Sequence, residues 1–448
     1  MEPSLNQIQK LCKQEIEDHF EEHRKKASQS LNYLENSTAK YKEKTIYSLY
    51  IPKIFTKSAT DYIRDIAETM VRIMEKVTKE YIEKPDYREL FGFSSKLKEL
   101  ILHVPSYKTL IPVARVDIFL NEETGEFKFC EFNTDGSSAM NEDRELCNAF
   151  TYTELYKYLN KEYVTGQFEL FDSLVQAFLT NYQTYPGHVE HPRVAVMDFL
   201  ELGCSMEEFK EFCNSFERAG CKAKICDIRQ VRYNHETKKL LDENDNPIDL
   251  IYRRAVTSDI LEHAAEVGDF IRAVKEDAVC CMGSFCTQVA HDKSLFYILH
   301  NERTKQFLTE DEWTFVQKHI PFTDELTDHT IKANKLLEEK NKWLIKPKNS
   351  YGARGIYAGV NFSDKEWKKA IRENRNKNYI LQEFIRPYQT ENIDFRVEHP
   401  QFKEHSNLTG LYVYNGRFAG VYSRQANHEI ISSDYDENDI ATITLREK

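Results

Sequence analysis

Along FCEFNTDGSSAMNED (129–143), Glu131, Asn133 and Asp135 alternate, and Gly136, Ser137 and Ser138 follow at once. Carboxylate and amide oxygens at this spacing are the hard donors that magnesium and calcium take. Small residues behind them leave backbone N–H groups open to an anion such as a phosphate or carboxylate. A solvated turn would use the same residue types for purely local reasons.

The stretch before it adds to the set. LIPVARVDIFL (110–120) and EFKFCEFN (126–133) alternate like strands, and NEETG between them reads as a hairpin connection. Arg115 and Asp117 are two apart on the first strand, as Glu131 and Asn133 are on the second, so each pair shares one sheet face. A guanidinium, two carboxylates and an amide on one face are costly in a core unless they pair or bind a metal.

Two further stretches carry chemical promise. Lys346 closes an apolar run, and NSYGARG (349–355) then brackets Arg354 between Gly352 and Gly355. Such a loop can fold over a polyphosphate, although it lacks the GxxxxGK[ST] spacing and no helix pattern follows it. LQEFI (381–385) sets Gln382 and Glu383 in an apolar strand, which suits either an adenine hinge or a buried edge strand. In IYRRAVTSD (251–259), Arg253 or Arg254 can meet a substrate carboxylate or serve the fold.

The elements that must position these groups alternate between helical and strand patterns. Residues 1–45 have helical spacing rich in Glu and Lys, and TKSATDYIRDIAETMVRIMEKVTKEYI (56–82) is amphipathic, with Tyr62, Ile63, Ile66, Met70, Ile73, Met74, Val77 and Tyr81 on one stripe. A helical stretch is expected from about 140 to 182. RVAVMDF, MEEFKEFCNSFERAG, KAKICDI and IDLIYRRAV (193–256) then read as strand, helix, strand and strand, a small Rossmann-like unit without GxGxxG. Near the C-terminus, antiparallel strands surround an Asn415-Gly416 turn.

Bulk properties narrow the class. The chain has 448 residues, 41% hydrophobic and 30% charged, which is globular and long enough for several domains. Its 61 basic and 73 acidic residues give a net charge of −12, against a general nucleic-acid or anionic-membrane partner. No run approaches the ~20 apolar residues of a spanning helix, and the charged N-terminus has no secretory h-region. The ten cysteines lack zinc spacing, which leads to the expectation of reduced, buried thiols in a cytoplasmic protein.

The order R-x-D, E-x-N-x-D, Rossmann-like unit, lysine, K-P-x(4)-G-x-R-G and LQEFI resembles the circularly permuted ATP-grasp proteins, and more narrowly the synthetase part of glutathionylspermidine synthetases, over about residues 45 to 445. The resemblance implies an α/β (α+β) fold: an ATP-grasp core in permuted order with an inserted Rossmann-like pre-ATP-grasp unit. It divides the chain into an N-terminal helical region (1–110), a first core part with metal-binding strands (111–185), the Rossmann-like unit (186–300) and a nucleotide-binding part with a Gly-rich lid (301–448). Asp117, Glu131 and Asn133 match magnesium ligands, for a pair of Mg²⁺ ions. Arg115 matches the arginine at the transferring phosphoryl group, and Ser137 and Ser138 the loop at the substrate carboxylate. Lys305 and Lys346 match the phosphate lysines. Gly352, Arg354 and Gly355 match the lid, Gln382, Glu383 and Phe384 the adenine hinge, and Arg424 a position near the acyl substrate, while RRAVTSD (253–259) does not match the family closely and Arg253 is a candidate substrate contact on its own residues alone.

The activity implied is an ATP-dependent carboxylate–amine ligase working through an acyl-phosphate, with a phosphotransferase or a non-catalytic nucleotide-binding protein as alternatives. Its partners would be a small carboxylate and a small amine, in no stated oligomeric state. The chain has no counterpart to the amidase domain of two-headed relatives before residue 45, so no hydrolytic half-reaction is expected.

Overall fold

Helical periodicity is strongest after Thr56, and a 27-residue helix, Lys57–Glu83, forms there. The computed structural model describes residues 4–41, 44–202, 204–349, 355–431 and 437–448. The Thr56 hydroxyl caps the helix by accepting from the Ala59 N–H at 3.3 Å. Ile63, Ile66, Met70, Met74, Val77 and Tyr81 are buried along one stripe, as the spacing predicts. Tyr62 departs from it: the ring is 44% exposed, and its hydroxyl donates to the Gly125 carbonyl at 2.7 Å, steadying the hairpin turn.

This stripe packs on a six-stranded antiparallel sheet. Its order is Asn438–Ile440, Arg417–Ala426, Phe402–Tyr414, Val113–Leu120 and Phe127–Asn133, with Gln389–Ile393 pairing on Phe402–Ser406. The N-terminal hairpin and the C-terminal strands, some 300 residues apart in sequence, thus make one sheet. Asn415 (φ 46°) and Gly416 (φ 74°) form the tight turn between the two longest strands, where the left-handed backbone suits them.

A second sheet is wholly parallel, in the order Cys280–Met282, Leu250–Arg253, Arg193–Asp198 and Lys222–Asp227. Helix Met206–Arg218 connects its first and second strands, as the Rossmann-like pattern predicts. Strand Arg193–Asp198 lies between Lys222–Asp227 and Leu250–Arg253, so the strand order reverses there and opens a crevice at the carboxyl ends. A third, antiparallel sheet joins Thr323–Glu325, Tyr379–Glu383, Trp343–Pro347 and Tyr357–Ala358, and helix Asp364–Asn374 covers it with the fully buried Trp367.

The expected helix from 140 to 182 is interrupted. Helices Met140–Phe150 and Glu154–Glu162 are parted by a short turn, and strand Tyr163–Gln167, which pairs with Thr442–Glu447, stands before the third helix, Asp172–Tyr182. The half-exposed YVTGQ has no apolar alternation of its own, and its strand geometry comes from that partner. The ten cysteines carry no disulfide, and seven of them are buried. No helix among the described residues is long and apolar enough to cross a membrane.

Candidate active site

The hairpin register sets Arg115 opposite Asn133 and Asp117 opposite Glu131, and then shifts between Asp117 and Ile118. Ile118 pairs with Phe129, which leaves Cys130 as the extra residue of a bulge. The bulge lets Phe129 and Phe132 both enter the core while Glu131 and Asn133 face a cleft. On the neighbouring strand Gly410 sits opposite Asp117. A Cβ there would stand 2.9 Å from both Arg115 Cδ and Asp117 Oδ1. Only glycine leaves room for this pair.

Asp117 is fully buried, and cations surround it. Arg115 donates from Nε to Oδ1 at 2.8 Å and from Nη2 to Oδ2 at 3.2 Å. Arg424 Nη2 donates to Oδ2 at 2.9 Å, and Asn133 Nδ2 reaches the same oxygen at 3.3 Å. Both guanidinium groups lie over Tyr422, 5.4 and 5.6 Å from its ring centre. Arg424 also pairs with Glu437 at 3.4 Å. Charge-assisted bonds of this kind are about twice as strong as neutral ones and fix the carboxylate in one orientation.

Glu131 faces the cleft and pairs with Lys293 at 2.9 Å. Burial pushes its carboxyl up, but the Lys293 and Lys346 ammonium groups outweigh this and hold it down at about 2. Lys346 donates to the Cys130 carbonyl at 3.1 Å and lies over Phe296, whose ring stacks on Phe132 at 4.7 Å. Burial and the neighbouring Lys293 push Lys346 down to about 8.

The Thr134–Ala139 loop closes the hairpin end. The Ser137 hydroxyl donates to the Asn133 carbonyl at 2.7 Å, and the Ser138 carbonyl accepts from Arg115 Nη1 at 3.1 Å and from the Tyr412 hydroxyl at 2.5 Å. Gly136 has φ 69°, and a Cβ there would meet Val256 Cγ1 at 2.7 Å. Helix Met140–Phe150 leaves the loop with its first N–H groups gripped by Glu208 of the parallel-sheet unit, Met140 N donating to Oε2 at 2.8 Å. Glu208 Oε1 accepts from Arg254 Nη2 at 3.0 Å.

These walls enclose a cleft of about 690 Å³, within the usual range of ligand sites. It reaches from Gln382, Glu383 and Phe384 on the third sheet, past Lys346, Lys293, Glu131 and Arg115, to Asp198 and Asp259 at the carboxyl ends of the parallel strands. The hinge backbone is engaged: Glu383 N donates to Phe322 O and Phe384 N to Lys342 O, each at 2.8 Å. The Gln382 amide donates to Thr323 Oγ1 at 2.8 Å.

Two expected residues lie elsewhere. Lys305 is exposed on the short helix Glu302–Lys305 with its ammonium 5.4 Å from the Trp313 ring centre, and Lys293 supplies the cleft's second ammonium instead. Lys293 stands in DKSLF, where a lysine directly ahead of an apolar turn was the available signal. Arg253 does not reach the cleft. It binds Asp135 Oδ1 at 2.7 Å and the Ala255 carbonyl at 2.6 Å, tying the loop to the parallel sheet, while Arg254 lines the cleft. Gly355 (φ 75°) packs against Tyr379 and Pro347, and Gly352 and Arg354 lie outside the described residues.

Asp198 lines the cleft at the end of strand Arg193–Asp198. Burial pushes its carboxyl up to about 6, with Arg254 opposing. The folded protein then holds this proton to a higher pH than the unfolded chain, so the group's contribution favours folding in acid and is lost as pH rises to about 6. Asp198→Asn is therefore expected to raise the urea midpoint at pH 7, with the gain shrinking towards pH 4. An unchanged or lower midpoint at pH 7 would contradict this environment.

Among the described residues, no group of three or more His, Cys, Asp or Glu side chains is arranged to hold a metal. A site here must draw on Asn133 and on ligand oxygens as well as Glu131 and Asp117. Two carboxylates and an amide are a donor set of the kind Mg²⁺ shares with phosphate oxygens.

Comparison with solved structures relates this architecture to a glutathione synthetase-like effector from Globodera pallida in its apo form, at 11% identity and a TM-score of 0.59, covering 93% of this chain and 96% of that one. A protein assigned as a γ-glutamylcysteine synthetase from Methylobacillus flagellatus aligns at 11% identity over 88% of this chain and 90% of its own, with a TM-score of 0.46. No curated protein matches the chain. The fold is mixed α/β of the ATP-grasp type. The family model described as glutathionylspermidine synthase preATP-grasp matches residues 13–435, and the chain belongs to that family.

Proposed function

We propose that this protein is an ATP-dependent carbon–nitrogen ligase that joins a carboxylate to an amine through an acyl-phosphate. The observation that carries the reading is one cleft lined by Lys293, Lys346, Arg115, Arg424 and Glu131, with Lys293 paired to Glu131 and Arg424 to the adjoining Asp117. A phosphoryl group transferred there meets four cations, and phosphoryl transfer needs positioning and charge neutralisation more than covalent help. Family membership and the ligase names of the structural relatives support the same reading.

The nucleotide base is placed beside Gln382, Glu383 and Phe384, and its phosphates between Lys293 and Lys346. Gly352, Arg354 and Gly355 would cover them. The substrate carboxylate sits at the Ser137–Ser138 loop and Arg424. Its oxygen attacks the γ-phosphorus, ADP departs, and Arg115 stabilises the charge on the transferring oxygens. The amine nitrogen then attacks the acyl carbon, phosphate leaves, and the nitrogen loses a proton. Glu131, Asn133 and Asp117 would hold Mg²⁺, as two ions in the family pattern, which supplies neutralisation of the phosphate charge when bound. Asp117 serves only if an arginine releases one of its oxygens. The order of the metal-binding hairpin before the phosphate lysines fits the permuted arrangement.

The test is ADP release with Mg²⁺ over a matrix of small carboxylates and amines, with products read by mass spectrometry. The reading expects ADP and a new amide only when both substrates are present. ADP with a phosphorylated acceptor and no amide would instead indicate a phosphotransferase.

A further inference from the structure

The carboxylate that faces the cleft already has a cation. Lys293 is only 4% exposed, and its ammonium lies 2.9 Å from Glu131 Oε1, on the side chain proposed to bind metal. It is fixed there from behind: the Lys293 N–H donates to the Lys348 carbonyl at 2.9 Å, and Asp292 Oδ1 caps the following turn at Ser294 N, 2.9 Å. Asp117 is likewise covered by Arg115, Arg424 and Asn133.

Four cations, Arg115, Arg424, Lys293 and Lys346, stand around these two acids, and Glu437 pairs with Arg424. A divalent cation arriving alone therefore meets these four cations, with Glu131 Oε1 and both Asp117 oxygens already engaged. A polyphosphate meets the opposite. Its oxygens attract Lys293 and Lys346, and Lys293 in turning to them frees Glu131 Oε1.

We propose that Lys293 is an exchangeable counter-ion that keeps the metal position at Glu131 closed until a nucleotide polyphosphate draws it away. Metal binding is then contingent on the nucleotide, and by thermodynamic reciprocity the metal tightens the nucleotide by the same factor. The device keeps free metal from occupying a site that has no phosphate to activate. It rests on the nucleotide reading of the cleft given above.

Mn²⁺ binding to the full chain tests it, followed by water-proton relaxation enhancement, which separates protein-bound metal from metal–nucleotide in solution. Wild type is expected to bind Mn²⁺ on the order of 10-fold more tightly or better when saturated with adenylyl imidodiphosphate than alone. Lys293→Met should bind Mn²⁺ without nucleotide, more tightly than wild type, and adding Glu131→Gln should abolish that gain. Lys293→Gln, which keeps a polar side chain, gives the same comparison if the methionine variant melts early. Equal Mn²⁺ affinity of wild type with and without the analogue would overturn the proposal, as would an unchanged metal-alone affinity in both Lys293 variants. Analogue binding is measured beside it both in EDTA and with saturating Mn²⁺: if it fails in both, the nucleotide reading itself falls.

Discussion

Arg115→Met is expected to lower ADP-forming turnover on a productive acid–amine pair by roughly 10³-fold or more, the range found when an arginine that stabilises transferring phosphoryl charge is removed. Nucleotide binding should change by less than about 10-fold, because Lys293 and Lys346 remain. Arg115→Lys should recover little. A single ammonium cannot span both Asp117 oxygens and the Ser138 carbonyl, as the guanidinium does at 2.8, 3.2 and 3.1 Å. Arg115 also neutralises a fully buried carboxylate, so some stability will be lost with it. Turnover and nucleotide binding read on the same folded preparation separate the two effects. A variant with intact turnover would remove Arg115 from the chemistry.

Glu208→Ala is expected to cost about 3–5 kcal/mol, the usual effect of removing one partner from a buried ion pair. Glu208 is 1% exposed and does two things at once. Its Oε2 satisfies the first N–H groups of helix Met140–Phe150, from Met140 at 2.8 Å and Asn141 at 3.4 Å, and its Oε1 holds Arg254. Those helix donors have no intrahelical acceptor, and the helix cap, Ala139, is in the left-handed region at φ 85° with no side chain to offer one. Losing the carboxylate therefore orphans two backbone donors and strips Arg254 of its counter-ion, leaving it only neutral partners such as the Ser137 carbonyl and the Tyr252 hydroxyl. A double-mutant cycle with Arg254→Met should be non-additive by at least about 1 kcal/mol, since both changes break one contact. Urea denaturation measures both quantities. A loss below about 1 kcal/mol for Glu208→Ala would mean that water replaces the carboxylate without difficulty.

The hairpin of Val113–Leu120 and Phe127–Asn133 was legible because its signal is local. Two-residue alternation places Arg115 and Asp117, then Glu131 and Asn133, on one face, and the register agrees. The Asn415-Gly416 turn and the parallel strands from 193 to 253 are read for the same reason. What escaped depends on tertiary partners. Lys293 and Lys305 look alike in sequence, and only packing of Phe296 on Phe132 brings the first to Glu131. Gly410 is one glycine in a strand until Arg115 and Asp117 lie across from it. The bulge at Cys130 places Phe129 and Phe132 together in the core, which strict alternation would forbid. Tyr163–Gln167 is a strand only because Thr442–Glu447 supplies its ladder.

The central claim is that a carboxylate oxygen attacks the γ-phosphorus in this cleft. Isotope transfer reads that step directly: turnover with a carboxyl-¹⁸O-labelled acid, an amine and Mg·ATP, followed by mass analysis of the inorganic phosphate. The account predicts that each amide formed delivers one labelled oxygen to phosphate. Amide accompanied by unlabelled phosphate, or ADP release that needs no carboxylate, would contradict it.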